Sequence, residues 1–368
     1  MKSLYRKLIR TIEFLMLNIH IIKTWFVEWH SILAKSKQYK NIVWTDIQQR
    51  EFDVFWIQNY GRKISNRWHK MYQSSSGVFN VKYFPEILYT TKLEPKLNPL
   101  RWARLLSDKS LIELLYGGDE KVKFPKTVFL NCSGLYYDQN RRIIDETIAN
   151  QLLYDSNEIV IKPILGESTG RGVRVLRLEK GLDVESSENV ESIIKEYNTN
   201  YIVQERLKPN KVYASLYADS INTIRVMTYL INYKLHHAFI SFRVGTNGNK
   251  VDNYHAGGIT IGVGEDGRLN KLGYGMENKK YEKHPNTKVK FDGYELPYID
   301  EITKAAYRLH GRTPHIGVIS WDFAINDKNE VVLIEVNLLG QSIWVPQLII
   351  GSSSFGENTK EVLQLINK

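Results

Sequence analysis

In "IVIKPILGESTGRGVRVL", residues 159–176, Lys162 ends one apolar run, and a loop with three glycines leads into a second. A strand, a glycine-rich turn and a second strand can fold over a phosphate chain. Gly166, Gly170 and Gly172 would let backbone N–H groups approach a ligand, and Ser168 and Thr169 add hydroxyl donors. Lys162 supplies a point positive charge. The stretch contains neither the G-x-x-x-x-G-K-[ST] loop nor the spacing of the dinucleotide fingerprint. Taken alone, a glycine-rich turn of this kind is more often just a hairpin.

A second stretch, "WDFAINDKNEVVLIEVN" (321–337), reads as two strands around a polar turn. With the turn centred on Lys328 and Asn329, Asp322 lies opposite Glu335, and Asn337 shares the face of Glu335 because strand side chains repeat every two residues. Like charges directly opposite are unfavourable unless something positive sits between them. A hard divalent cation such as Mg²⁺, shared with nucleotide phosphates, meets that need. The bland alternative is two solvated acids, against which stand the flanking Ile319, Trp321, Phe323, Leu333, Ile334 and Val336. A third stretch, "YIVQERL" (201–207), is an apolar strand whose end could act as a hinge, with backbone groups facing the edge of a base.

The elements that must position these residues follow from composition and periodicity. The chain has 368 residues, 43% of them apolar, and 50 Lys and Arg against 40 Asp and Glu, a net +10. That is enough for two or three compact units with a substantial core. The basic surplus favours an anionic partner without choosing its class. The Lys and Arg are spread out and no RNA or DNA module is visible, so no nucleic-acid partner is expected. A single cysteine, Cys132, excludes an intrachain disulfide and fits a reducing, cytoplasmic setting; it reads as a packing residue. No secretory signal and no apolar run of membrane-spanning length is seen.

Residues 1 to about 60 read as helix, with Leu4, Leu8, Ile12, Leu15 and Ile19 at helical spacing. The first 40 residues carry eight Lys or Arg and two acids. Such a helix either packs on its own domain with a solvated face or lies on an anionic bilayer. Residues 74–100, rich in Pro, Ser and aromatics, read as irregular connection. Residues 105–117 read as helix with Ser107 or Asp108 as cap, "FPKTVFLN" as a strand, and 143–153 as helix. From 158 onward eight strand-like runs and three helices (about 187–198, 298–310 and 356–367) argue an α+β fold.

Together and in this order, the three stretches resemble the ATP-grasp superfamily over roughly residues 105 to 345. The nearest group is the sugar-transfer-associated ATP-grasp proteins, related to alpha-L-glutamate ligases. "SDKSLIELL", "IKPILGESTGRGV", "SINTIRVMTYL", "FRVGTNGNKVDNYHAGGI", "WDFAI" and "LIEVN" carry the likeness. It implies an ATP-grasp fold, two α+β subdomains gripping ATP, after a mainly helical region. The expected divisions are 1–104, helical and facing a membrane or partner; 105–207, with the glycine-rich loop and hinge; and 208–368, with the Mg²⁺-binding hairpin. Lys109 and Lys162 would contact phosphates, the backbone from Gly166 to Gly172 would cover them, and Gln204, Glu205 and Leu207 would form the adenine hinge. Asp322, Glu335 and Asn337 would ligate Mg²⁺. Arg243, or Arg225, would meet the transferring phosphate, and Asn253 and His255 would line the acceptor side. Glu205 departs from the lysine often found at that hinge position, and the ribose-binding acid is not assigned, Asp219 being a candidate.

The reaction so implied is ATP- and Mg²⁺-dependent joining of a carboxylate to an amine through an acyl phosphate. The substrates would be a sugar carboxylate (a hexuronic acid) or acidic glycan and an amine or amino acid, in bacterial polysaccharide biosynthesis. The enzyme would be cytoplasmic, or peripheral at the inner face of the plasma membrane. The rivals are an ATP-grasp phosphotransferase and a non-catalytic nucleotide-binding component of a polysaccharide assembly complex.

Overall fold

The computed structural model describes residues 2–165 and 171–367; Gly166, Ser168, Thr169 and Gly170 lie outside the described residues. Strands β1 (Thr127–Cys132), β2 (Leu135–Asp138), β3 (Ile143–Ile144), β4 (Glu158–Pro163), β5 (Arg174–Glu179), β6 (Leu182–Asp183) and β7 (Tyr201–Glu205) form one sheet, in the order β3-β2-β1-β7-β4-β5-β6. Strands β8 (Thr223–Ile231), β9 (Lys234–Val244), β10 (Ile259–Val263), β11 (Leu269–Tyr274), β12 (Lys280–Tyr281), β13 (Val318–Ile325) and β14 (Val331–Asn337) form the second, in the order β12-β11-β10-β9-β8-β13-β14. Every pairing within the sheets is antiparallel, as expected for an α+β chain.

Strand alternation decides what each sheet turns inward. In the first sheet Phe129, Ile159, Ile161 and Val203 pack with Leu153 and Ile193 from the helices at Glu146–Tyr154 and Val190–Lys195. Val160, Lys162 and Gln204 therefore point to the opposite face. In the second sheet Ile224, Val226, Phe242, Trp321 and Leu333 pack against the helix at Ile299–His310. Its other face is divided along its length. Met227, Tyr229, Phe239 and Val318 are covered by Phe52, Trp56, Tyr89 and Leu93 from the chain's first hundred residues, together with Leu363 near the C-terminus. Thr223, Arg243, Asp322 and Glu335, further along the same face, line the cleft between the sheets, with Arg225 paired to Asp322 beside them and outside the lining.

The eight expected strands are present, but β2, β3, β6, β11 and β12 were not legible. Three of these are edge or near-edge pieces of two residues, too short to show alternation. Ile143–Ile144, expected to be helical, is β3; the helix starts at Glu146, with Asp145 accepting from Ile148 N at 2.9 Å. The N-terminal helix runs from Lys2 to Ala34, and the chain breaks at 40–45 before the helix Asp46–Tyr60, which Thr45 opens with a reciprocal capping pair to Gln48. Asp108 caps its turn by accepting from Ser110 N at 2.8 Å. The stretch 74–100 is not an irregular connection throughout. Residues 86–97 are continuously helical, including a π-helical turn at Tyr89–Leu93, and they bury Glu86 and Glu94.

Candidate functional site

One cleft between the sheets is lined by Lys109, Lys162, Gln204, Glu205, Leu207, Arg243, Asn253, Asp322 and Glu335 among others. Residues far apart in sequence thus meet in one place. Lys162 enters from β4, where it sits opposite Ile202 of β7. Burial pushes its ammonium down to about 8, with Lys109 adding to this and Glu335 opposing it. Lys109 crosses to the second sheet, its Nζ 3.2 Å from Glu335 Oε1. Apolar walls come from Val160, Val173 and Val175 on one side and Ile221 and Ile334 on the other.

The hairpin β13–β14 pairs Asp322 with Glu335 as expected, but by a different route. Near the turn, Ile325 faces Val331 and Phe323 faces Leu333; the register then shifts by one, so that Asp322 faces Glu335 and Ser320 faces Asn337. The extra residue is Ile334, a bulge that brings it to the cleft beside Glu335.

Asp322 is fully buried and already matched by positive charge. Arg225, directly across the strand pair, donates from Nε to Oδ1 and from Nη2 to Oδ2, both at 2.7 Å. Arg243 Nη2 lies 2.9 Å from Oδ2, and Asn337 Nδ2 donates to the same oxygen at 3.2 Å. Burial pushes this carboxyl up, but the two guanidinium groups outweigh it and hold it below the ordinary aspartate value. The positive charge that the facing acids require is therefore supplied by Arg225, Arg243 and Lys109. The residue types alone left a cation as the obvious partner.

The network extends to residues that the sequence reading did not single out. Arg243 Nε and Nη2 donate to Thr223 Oγ1 at 2.9 and 2.7 Å, and Thr223 donates from its hydroxyl and its N–H to Asp252 Oδ2 at 2.6 and 2.7 Å. Arg171 and Lys250 also line the cleft. Thr223 was findable: it precedes Arg225 by two in a strand and must share its face.

Of the expected residues, some lie outside the lining and others already have partners within the chain. Gln204 turns its side chain to Pro125 O at 3.3 Å. The Glu205 and Arg206 N–H groups donate to Lys126 O and Glu158 O, so a base edge would have to find the Leu207 N–H or strand carbonyls. Glu205 itself pairs with Lys126 at 2.6 Å in the open. Asn253 caps a short turn by accepting from His255 N at 2.9 Å; His255 is exposed and does not line the cleft. Asp219 is exposed and likewise outside the lining. Gly172 has φ +68°, and its carbonyl accepts from Tyr197 Oη at 2.7 Å. Cys132 is half-buried against Leu130, Ile164 and Ile202.

Behind the hairpin, two buried acids hold the segment that follows Asn337. Glu94 accepts from Gly340 N at 3.1 Å and Gln341 N at 2.9 Å; Glu86 accepts from Ile343 N at 3.0 Å. Asn98 donates to Val318 O and Leu338 O and accepts from Gly317 and Val318 N–H, tying the ends of β13 and β14 together.

Two α+β units closing on a cleft of this make-up constitute an ATP-grasp fold. The model of the family described as sugar-transfer associated ATP-grasp matches residues 88–363, and the chain belongs to that family. No curated protein sequence matches it. Among solved structures it is similar to the VanG D-Ala:D-Ser ligase from Enterococcus faecalis (15% identity, 70% of this chain and 60% of that one, TM-score 0.42). It is also similar to D-alanyl-alanine synthetase A from Vibrio cholerae (16%, 71% and 63%, 0.40) and to an L-amino acid ligase from Bacillus licheniformis (15%, 71% and 48%, 0.39). The chain spans less than two thirds of each of these.

Proposed function

We propose that the protein is an ATP- and Mg²⁺-dependent ligase joining a carboxylate to an amine through an acyl phosphate, the carboxylate belonging to a sugar such as a hexuronic acid in polysaccharide biosynthesis. The observation that carries this reading is the meeting of Lys162 and Lys109 with Glu335, Asp322 and Arg243 in one cleft. The family's description and the basic surplus support the sugar acid. A peripheral site at the inner face of the plasma membrane belongs to the same reading.

A transferring phosphoryl group spreads negative charge and needs positioned cations more than a covalent nucleophile. Lys109 and Lys162 would hold the phosphates, and an anion beside Lys162 would restore the charge that burial disfavours. Glu335 and the Oδ1 of Asn337 fit a hard cation by donor type and by their half-buried position. Asp322 fits only in part: its oxygens already accept three hydrogen bonds and meet Arg243 in an ion pair, and it would be freed as Arg243 turns to the phosphoryl group. When bound, Mg²⁺ would offset phosphate charge. A substrate carboxylate oxygen would attack the γ-phosphorus as ADP departs; an amine would then attack the acyl carbon, phosphate leaving and the amine losing its proton. The Gly166–Gly172 loop would exclude water from the acyl phosphate.

The test is an ADP-release screen pairing uronic-acid glycans with amino acids. ADP and phosphate appearing only when both partners are present is the expected result. ADP without free phosphate would make the protein a phosphotransferase, and nucleotide binding with no turnover on any pair would remove the ligase.

A further inference from the structure

The first 33 residues of helix raise a question that the cleft does not answer. The far end of this helix is rooted in the body. Ile32 is buried with Tyr39, Trp68, Met71, Tyr72 and Leu348, whereas Leu4, Leu8, Ile12, Ile19, Ile22 and Phe26 remain exposed, Leu4 at 75% and Ile19 at 67%. At 3.6 residues per turn these six fall in one arc along the helix, and among the described residues none covers it. Isolated exposed leucines are ordinary; six exposed apolar side chains on one arc spread over six turns are not.

Two occupants could bury such a stripe: a second copy or a bilayer. A helix pair would bury a narrow seam and normally sets its register with opposite charges beside it. Here exposed Trp25 and Val27 lie about 60° beyond the stripe on either side, with Asn18 and Lys23 between, a broad amphipathic face rather than a narrow two-helix seam. The sequence around the stripe is dominated by one sign: Lys2, Arg6, Lys7, Arg10 and Lys23 against Glu13 and Glu28. Two parallel copies would set these like charges side by side, whereas an anionic surface attracts them. Trp25 and Trp29 stack at 5.7 Å near the rooted end, with Arg67 5.0 Å over Trp29, and amphipathic indoles of this kind favour the boundary between lipid and water. Among the described residues, no helix is long and apolar enough to cross a membrane.

We infer that residues 4–26 form a docking surface that lies in the plane of an anionic phospholipid bilayer. The root of this helix is close to the cleft. Lys35 sits 5.1 Å over Trp344, Trp344 meets Tyr254 edge-on at 6.3 Å, and Tyr254 adjoins Asn253 of the cleft lining. A substrate carried on lipid would thus reach the mouth beside Asn253; this clause alone rests on the ligase reading, and the docking surface does not.

The experiment is co-sedimentation of the full chain with vesicles of phosphatidylcholine, with and without phosphatidylglycerol, at about 0.1 M salt and in high salt. Binding to the anionic vesicles that salt weakens is expected. Leu8→Glu with Ile19→Glu should lower it tenfold or more, and Lys7→Gln with Lys23→Gln should lower it on anionic vesicles only. Thermal stabilisation by ATP, unchanged in both variants, would show that the body remains folded, and ADP release measured alongside would report on the cleft separately. A full chain that stays in the supernatant, or a stripe variant that binds as well as the parent, overturns the inference. So does a dimer by light scattering that the stripe variant dissolves without any vesicle binding, which would make the second copy the occupant.

Discussion

Asp322 and Glu94 are both buried carboxylates at the β13–β14 hairpin, and the protein treats them in opposite ways. Asp322 receives two guanidinium groups and is held below the ordinary aspartate range, burial notwithstanding. Glu94 receives backbone N–H groups and, among the described residues, no ion-pair partner, and burial pushes it up to about 7, against the opposing pull of Gln341 and Gly340. Glu86, deeper still, is raised well above its usual value by burial and by Glu28. Charge matching with cations is concentrated on the cleft side; behind the hairpin the acids serve as acceptors for the loop 340–343. Burial by itself therefore does not mark a carboxylate as part of the site. The kind of partner does.

The comparison can be broken or sharpened by removing one partner at a time. Lys162→Ala should give the largest effect, a loss of turnover on the order of 10²–10³-fold with loss of stabilisation by ATP. Folding stability should not fall with it, because burial already disfavours this charge; unchanged nucleotide affinity would remove Lys162 from the phosphate site. Asp322→Ala should show the reverse emphasis, costing about 3 kcal/mol in urea unfolding because Arg225 and Arg243 are left without their counter-charge. A loss below about 1 kcal/mol would mean that the arginines find solvent unaided.

The third prediction concerns pH. Glu94 has a raised folded value, so its contribution to stability is fully present below the unfolded value near 4.5 and is lost as pH rises through about 7. Asp322 runs the other way, contributing above the unfolded value of 3.8 and losing that as pH falls through its lower folded value. The unfolding free energy of the parent, from urea titrations, should decline between about pH 5 and 8, by at most about 3 kcal/mol from this group, and Glu94→Gln should flatten that decline. Parallel profiles for the two proteins would remove Glu94 as the cause. The smallest effect on stability is expected for Lys109→Ala: its ion pair with Glu335 is partly buried, the side chains 14% and 32% exposed, and Glu335 keeps access to solvent, so the loss should cost no more than about 1 kcal/mol.

Local patterns carried much of this. The β4 lysine, the hinge strand and the hairpin acids were readable because alternation and a turn place residues relative to near neighbours. Partners set by long-range pairing were not. Arg225 meets Asp322 only because β8 lies beside β13, and no local spacing announces that. Glu86 and Glu94 sit in a stretch whose Pro, Ser and aromatic content hides its helical turns, and their partners are some 250 positions away, on backbone atoms that any residue would carry. Even the successful pairing of Asp322 with Glu335 was reached with the turn misplaced, and the bulge at Ile334 made up the difference.

That bulge gives the hairpin an unusual freedom. Were Ile334 deleted, the strands would zip without interruption and the two acids would still stand across from each other, since Leu333 already faces Phe323. What would vanish is a hydrophobic patch next to an acid, two neighbours in the chain looking the same way, which a regular strand forbids. The apolar wall and the acid of the cleft can therefore be altered independently, by one codon, in a segment seven residues long.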